Sequence, residues 1–194
     1  MNIISNCCLG GYAYKDIFNE CFVSPFIWSW MTAEDVCYLM DNFNKIDFKN
    51  YELSTYNNFP LKDGVCFQIN VENKIKIVFS HYQFVKSKKE IEIDKTRNMV
   101  YYNRMWEYVV KKYNDRLERM TGEPVFLIID DETEKKFSSQ HIEHIIQNSK
   151  YKVLFFTQKE IKSKNPNVKI IWAKDLLPEH ISQTFANEIK SFLT

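Results

Sequence analysis

The chain has 194 residues, 45% of them apolar and 15% aromatic, with 26 basic and 25 acidic side chains and a formal net charge of +1. That length fits one domain spanning 1–194 with an ordinary core, and the balanced charge removes the general reason to expect nucleic acid or an anionic membrane as partner. Five cysteines, odd in number and irregularly spaced, fit neither a disulfide framework nor a zinc ribbon and read as reduced thiols. The chain opens without a basic, then apolar, signal pattern and no apolar run is long enough to span a bilayer, so the expectation is a soluble cytoplasmic protein without a transmembrane segment.

Ile3 and Ile4 read as a short buried strand, and Ser5-Asn6-Cys7-Cys8 as the turn that ends it. Gly10 and Gly11, half of the chain's four glycines, open a helix through Ile17 and suggest close backbone approach or positive φ. Phe22, Phe26, Trp28 and Trp30 crowd the Ser24-Pro25 turn, where they either line a pocket or wedge the loop onto the core. Thr32 caps the next helix, with Asp35 in its first turn and Val36, Leu39, Met40 and Phe43 on one face. Residues 47–62 show no clear period and read as a loop with at most a short element. The runs 65–71 and 75–79 alternate in and out around Glu72-Asn73-Lys74 and predict an antiparallel hairpin ending near His81 and Tyr82. The charged stretch 86–95 reads as a surface loop.

From Thr96 to Met120 apolar residues recur at helical spacing, with Lys111, Lys112, Asp115, Arg116, Glu118 and Arg119 on the polar side. Gly122 and Pro124 end this helix. Val125–Ile129, closed by Asp130-Asp131, has the continuous apolar character of a central parallel strand. A helix capped by Ser138, a strand over 152–157, a short strand over 168–172 and a final helix from Pro178 through Phe192 follow. Alternating strands and helices predict an α/β fold: a three-layer domain with a mainly parallel sheet, helices on both faces and an added antiparallel hairpin.

Ligands of open α/β sheets bind at the carboxyl ends of strands. Cys8, His81 and the Asp130/Asp131 pair all fall at predicted strand ends. A neutral imidazole can deprotonate a thiol and a carboxylate can orient it, while the Gly10 and Gly11 N–H groups at a helix start can face an oxyanion. The plain alternative is that Cys7 and Cys8 are small buried apolar residues. His141 and His144 stand three apart on a helix with no third ligand in view and read as a solvated face, so no metal is expected. Basic residues including Arg104 can meet a phosphate, with solvated charge as the default.

Ile4-Ser5-Asn6-Cys7-Cys8-Leu9-Gly10-Gly11 resembles the "ISNNCxGG" opening of a bacterial family of unknown function found among exopolysaccharide and capsule biosynthesis proteins. More distantly it is similar to papain-like cysteine peptidase families that share a Pro-Phe-Asp-Trp segment, matched by Pro25-Phe26-Ile27-Trp28 with Ile27 replacing the acid. The likeness continues at His81-Tyr82, at Asn103-Arg104-Met105-Trp106 with Arg116, and at Ile128-Ile129-Asp130-Asp131. Cys7 stands where the family has a second asparagine. A capsule-cluster relative in the wider group looks like a coenzyme A-binding acetyltransferase.

The resemblance implies a Cys8–His81 site acting in surface-polysaccharide modification, with Asp130 or Asp131 orienting the imidazole. It also implies a donor and acceptor region near Ser5, Asn6, Trp28, Trp30, Tyr82 and Arg104. Three readings follow: an acyltransferase moving an acetyl group from coenzyme A to a glycan or small-molecule hydroxyl, a papain-like cysteine hydrolase, and a non-catalytic accessory protein of polysaccharide assembly.

Overall fold

The computed structural model describes residues 2–19, 24–26, 29–56, 66–83, 95–130 and 136–193, with side chains described for these except at 55–56, 66–67, 79–83 and 95–105. The elements run β1 (Asn2–Ser5), α1 (Leu9–Tyr12) continuing into a π-helical turn (Ala13–Phe18), α2 (Ala33–Asn42), β2 (Tyr51–Tyr56), β3 (Cys66–Val71) and β4 (Ile75–Gln83). Then come α3 (Lys95–Arg119), β5 (Pro124–Ile129), α4 (Ser139–Asn148), β6 (Lys152–Thr157), β7 (Val168–Trp172), α5 (Pro178–Thr184) and α6 (Ala186–Leu193).

The strands make two sheets: a parallel one ordered β1-β5-β6-β7 and an antiparallel one ordered β2-β3-β4. The expected α/β class holds, and the hairpin grows into a sheet of its own because β2 joins it. The stretch 47–62, read as a loop with at most a short element, therefore contains the six-residue strand β2. Tyr51 and Leu53 alternate with Glu52 and Ser54, a half-polar pattern with little apolar weight that is stabilised by pairing with β3.

The parallel sheet separates two cores. Alternation along β1, β5 and β6 sends Ile4, Phe126, Ile128, Val153 and Phe155 to one face, with α2, α4 and the antiparallel sheet. Ile3, Leu127, Ile129, Leu154 and Phe156 go to the other, with α1, α5 and α6. All of β5 is buried, as a strand covered on both faces must be. Burying each such side chain contributes roughly 1.5–3 kcal/mol before entropy is counted.

Both predicted caps form. Thr32 Oγ1 accepts the Asp35 N–H, and Asp35 Oδ2 accepts the Thr32 N–H. Asp35 Oδ1 also accepts the Lys76 N–H, so one carboxylate ties α2 to β4. In α4 the reciprocal partner of Ser138 is His141. The predicted last helix is two, broken at Phe185. Arg116, expected on the polar face of α3, is 6% exposed: three residues after Tyr113, it lies on the inward stripe with Val109. Gly122 adopts φ +79°, the left-handed end expected for α3. Of the loop expected over 86–95, residues 86–94 lie outside the described residues and Lys95 opens α3.

Candidate functional site at the carboxyl end of β1

β1 and β5 are hydrogen-bonded neighbours whose chains depart to opposite faces. β1 turns into α1 on the face holding Leu9, Ala13 and Tyr14, whereas β5 leads to α4 on the face holding Ile142 and Ile145. Adjacent parallel strands that send their connections apart open a crevice between their carboxyl ends. Asn6, Cys7 and Cys8 follow the end of β1, and Asp130 follows the end of β5.

Asn6 closes the floor. Fully buried, it donates Nδ2 to the Ile129 carbonyl at 2.8 Å and accepts the Ile129 N–H on Oδ1 at 3.0 Å. A side-chain amide thus imitates the backbone of one further β1 residue and prolongs the β1–β5 ladder. The Asn6 carbonyl accepts the Met31 N–H at 3.3 Å, and the Trp30 and Val78 backbones exchange hydrogen bonds at 2.8 and 3.1 Å. Ser29 Oγ donates to the Phe26 carbonyl at 2.9 Å and lies 3.4 Å from that of Ser5. Phe26 and Ser29–Met31 therefore join the end of β1 to β4, and the wedge reading of the aromatics holds for buried Phe26. Ser5 and Asn6, expected near substrate, are instead buried at 1% and 0% exposure and form the frame of the turn.

The two adjacent cysteines divide sharply. Cys7 is 2% exposed, with its Sγ 3.7 Å from Ser5 Oγ, and belongs to the core under α1. Cys8 is half-buried and occupies the N-cap position of α1. Its carbonyl accepts the N–H groups of Gly11 at 3.0 Å and Tyr12 at 3.2 Å. The Gly11 N–H is therefore committed to the helix, which removes it as an oxyanion donor. Neither Gly10 nor Gly11 has positive φ; both are buried helical residues. Tyr12, one turn after Cys8, is held above its ordinary pKa by burial first and then by Glu179, Cys8 and Asp16. Cys8 and Glu179 of α5 thus share the surroundings of one hydroxyl, in keeping with the packing of α5 on α1.

Asp130 has a different role from the one expected. It is 1% exposed. Oδ1 accepts the Phe137 N–H at 2.9 Å, while Oδ2 accepts Thr157 Oγ1 at 3.0 Å and Lys159 Nζ at 2.7 Å. Lys159 also donates to the Phe137 carbonyl at 3.0 Å. A carboxylate so enclosed and supplied with donors ties the ends of β5 and β6 to the segment leading into α4; it is not presented for orienting an imidazole. Lys159 and Thr157 were missed from the sequence. The signal available was a polar pair just past a buried strand, facing an acid just past its neighbour.

His81 and Tyr82 lie on β4, His81 three residues beyond the Val78 bridge, or roughly 10 Å at the rise of a strand. Arg104 lies within α3. The side chains of His81, Tyr82 and Arg104, and residues Trp28 and Asp131 entirely, fall outside the described atoms. Trp30 is described and half-buried. His141 and His144 have structural partners: His141 Nδ1 caps its own helix, and His144 Nε2 meets Asp41 of α2 at 2.9 Å. Among the described residues, no group of three or more His, Cys, Asp or Glu is placed to hold a metal ion, and no helix is long and apolar enough to cross a membrane. No protein-family model and no curated protein matches the chain.

Proposed function

We propose that this chain is a thiol-dependent acyltransferase with Cys8 as its nucleophile, taking an acetyl group from coenzyme A to a hydroxyl of a surface-polysaccharide sugar. The observation that carries the reading is the position of Cys8: half-buried, at the turn between β1 and α1, beside the crevice where β1 and β5 part. Its neighbour Cys7 has none of that access. His81 serves as the base and takes the thiol proton. Cys8 Sγ attacks the thioester carbonyl, and the donor's thiol departs with that proton. The acceptor hydroxyl then loses its proton to His81 and attacks the acyl carbon, freeing Sγ. Buried Asn6 and Asp130 keep the two strand ends in place while this happens. Coenzyme A supplies the activated acyl group. Lys159 is occupied by Asp130; in this reading Arg104 takes the donor's phosphates, as the resemblance of its segment implies.

Site-resolved iodoacetamide labelling against pH, in wild type and His81→Ala, tests the thiol. Cys37 is the internal reference, because burial, then Asp41 and Glu34, push its thiol up to about 12. The expected result is that Cys8 reacts well below the ordinary thiol value of about 8.5 and loses that advantage without His81. Cys8 labelling no faster than Cys37 would overturn the enzyme reading. Acetyl-CoA should then add one acetyl mass at Cys8, absent in Cys8→Ser. Turnover of peptide substrates without that adduct would replace transfer by hydrolysis.

A further inference from the structure

The two outer edges of the parallel sheet are finished differently. On β1 the outward N–H groups are closed by the chain itself: Ile3 donates to the buried Tyr14 hydroxyl at 3.2 Å and Ser5 to the Phe26 carbonyl at 3.3 Å. At the opposite edge β7 pairs only with β6, and no described strand lies beyond it.

The orientation of β7 follows from its ends. The Asn167 carbonyl accepts the Val153 N–H at 2.8 Å, and the Ala173 N–H donates to the Thr157 carbonyl at 3.0 Å. Residues 167, 169, 171 and 173 therefore turn their amide groups toward β6, and by strand alternation Val168, Ile170 and Trp172 turn theirs outward. The Val168 N–H is taken by the Asn165 carbonyl at 3.0 Å. What remains is half of an antiparallel ladder, symmetric about Ile170.

We infer that β7 pairs antiparallel with β7 of a second copy of this chain, about a two-fold axis at Ile170, joining two parallel sheets edge to edge. In that register the two Ile170 residues exchange both of their hydrogen bonds, and each Trp172 N–H meets the Val168 carbonyl of the other copy. The side chains fit the same partner. Trp172 and Leu177, each 57% exposed, stand on or just after this strand, and Ile170 and Ile171 are half-buried on its two faces. Lys169 is the one charged side chain on β7, is exposed, and in this register stands opposite Ile171 of the other copy rather than opposite a second lysine. Edges left open in this way are templates for pairing, and a closed two-fold contact uses one strand on each copy and covers the β7 edge of both.

Light scattering during size exclusion, over a range of concentrations, combined with residue-resolved hydrogen exchange, tests the pairing. Wild type should run at twice the chain mass, with the Ile170 and Trp172 amides protected. Proline is tolerated where an edge-strand N–H points outward, so Ile170→Pro should keep cooperative unfolding while running as a monomer. Ile171→Pro, which breaks the β6 ladder, should lose stability instead. Trp172→Lys leaves the backbone intact and should weaken dimerisation by at least about tenfold, which keeps the test open should the proline variant not fold. A wild type that is monomeric at every concentration with fast exchange at Ile170, or a dimer that survives in Trp172→Lys and in folded Ile170→Pro, would overturn the inference. Cys8 reactivity enters neither result.

Discussion

Replacing Asn6 by alanine removes one side chain and orphans two backbone groups. Asn6 is 0% exposed, and both functions of its amide are spent on Ile129, at 2.8 and 3.0 Å. Leaving a buried N–H and a buried C=O without partners costs about 1–3 kcal/mol each, so the variant should lose about 2–6 kcal/mol. That is a large share of the 5–15 kcal/mol typical of a folded domain, at roughly that order of magnitude. Urea unfolding should show the loss as a lower midpoint with unchanged slope, and the Ile129 amide should exchange faster.

Asn6→Asp sharpens the test. An ionised aspartate still accepts from the Ile129 N–H but sets a charged oxygen against the Ile129 carbonyl; only the protonated acid can donate there. Burial and that carbonyl raise its folded pKa above the unfolded value of about 3.9. The proton-linked contribution is then fully present below the unfolded pKa and is lost as pH rises through the folded one, so the deficit against wild type should widen with pH. An alanine variant within about 1 kcal/mol of wild type, with Ile129 exchange unchanged, would refute the ladder-extension argument.

Lys159→Met should destabilise by about 2–4 kcal/mol, because Asp130 keeps Thr157 and the Phe137 N–H but loses its counter-charge inside the fold; a negligible loss in urea unfolding would mean that the neutral donors suffice. Gly122→Ala should cost about 1–2 kcal/mol from left-handed backbone alone, since no atom lies within 4 Å of the added methyl; thermal unfolding reads this, and no change would show that the end of α3 relaxes. The exposed Asp175–His180 pair gives a pH prediction. Asp175 lies below its ordinary value through the Leu177 N–H first and His180 second, and His180 lies above 6.5 chiefly through its hydrogen bond to Asp175. The histidine part of the stability is present below about 6.5 and lost as pH rises through the raised value; the aspartate part is present above the ordinary carboxyl value and lost as pH falls through the lowered one. In an NMR titration Asp175→Asn should bring His180 back toward 6.5, and an unmoved His180 would assign its shift elsewhere.

Local rules carried much of the fold. Thr32 with Asp35 and Ser138 at the head of α4 are caps that depend on a few neighbouring residues, and β5 is apolar enough to be read by itself. β2 was legible as no more than a short element within a loop, because Tyr51 and Leu53 are its only inward residues with clear apolar character among the described side chains and its ladder partner comes after an intervening segment. The site was legible as a location more than as a set of roles. That Cys8 follows a strand and opens a helix could be read from Ile3 to Gly11. That Asn6 would turn onto Ile129, and that Lys159 would fill the valences of Asp130, depends on contacts between distant positions, which no spacing rule encodes. Arg116 shows the converse: charge suggested the surface, whereas its helical phase dictated burial.

The order of strands in the parallel sheet bears on how the chain folds. β5, β6 and β7 follow one another over residues 124–172, but β1 reaches its neighbour across a separation of 123 positions, from Asn6 to Ile129. Closing so long a loop is costly and slow, whereas the β5–β7 unit needs only short crossovers. The expected sequence of events is assembly of β5–β7 first, with β1 docking late and Asn6 as its latch. In pulsed hydrogen exchange the Ala173 amide, bonded to Thr157, should gain protection before the Ile129 amide, bonded to Asn6; the reverse order would exclude late docking. The turn carrying Cys8 is then the last part of the sheet to acquire its geometry, and detaching one four-residue strand would dismantle the surroundings of Cys8 while most of the molecule stays folded.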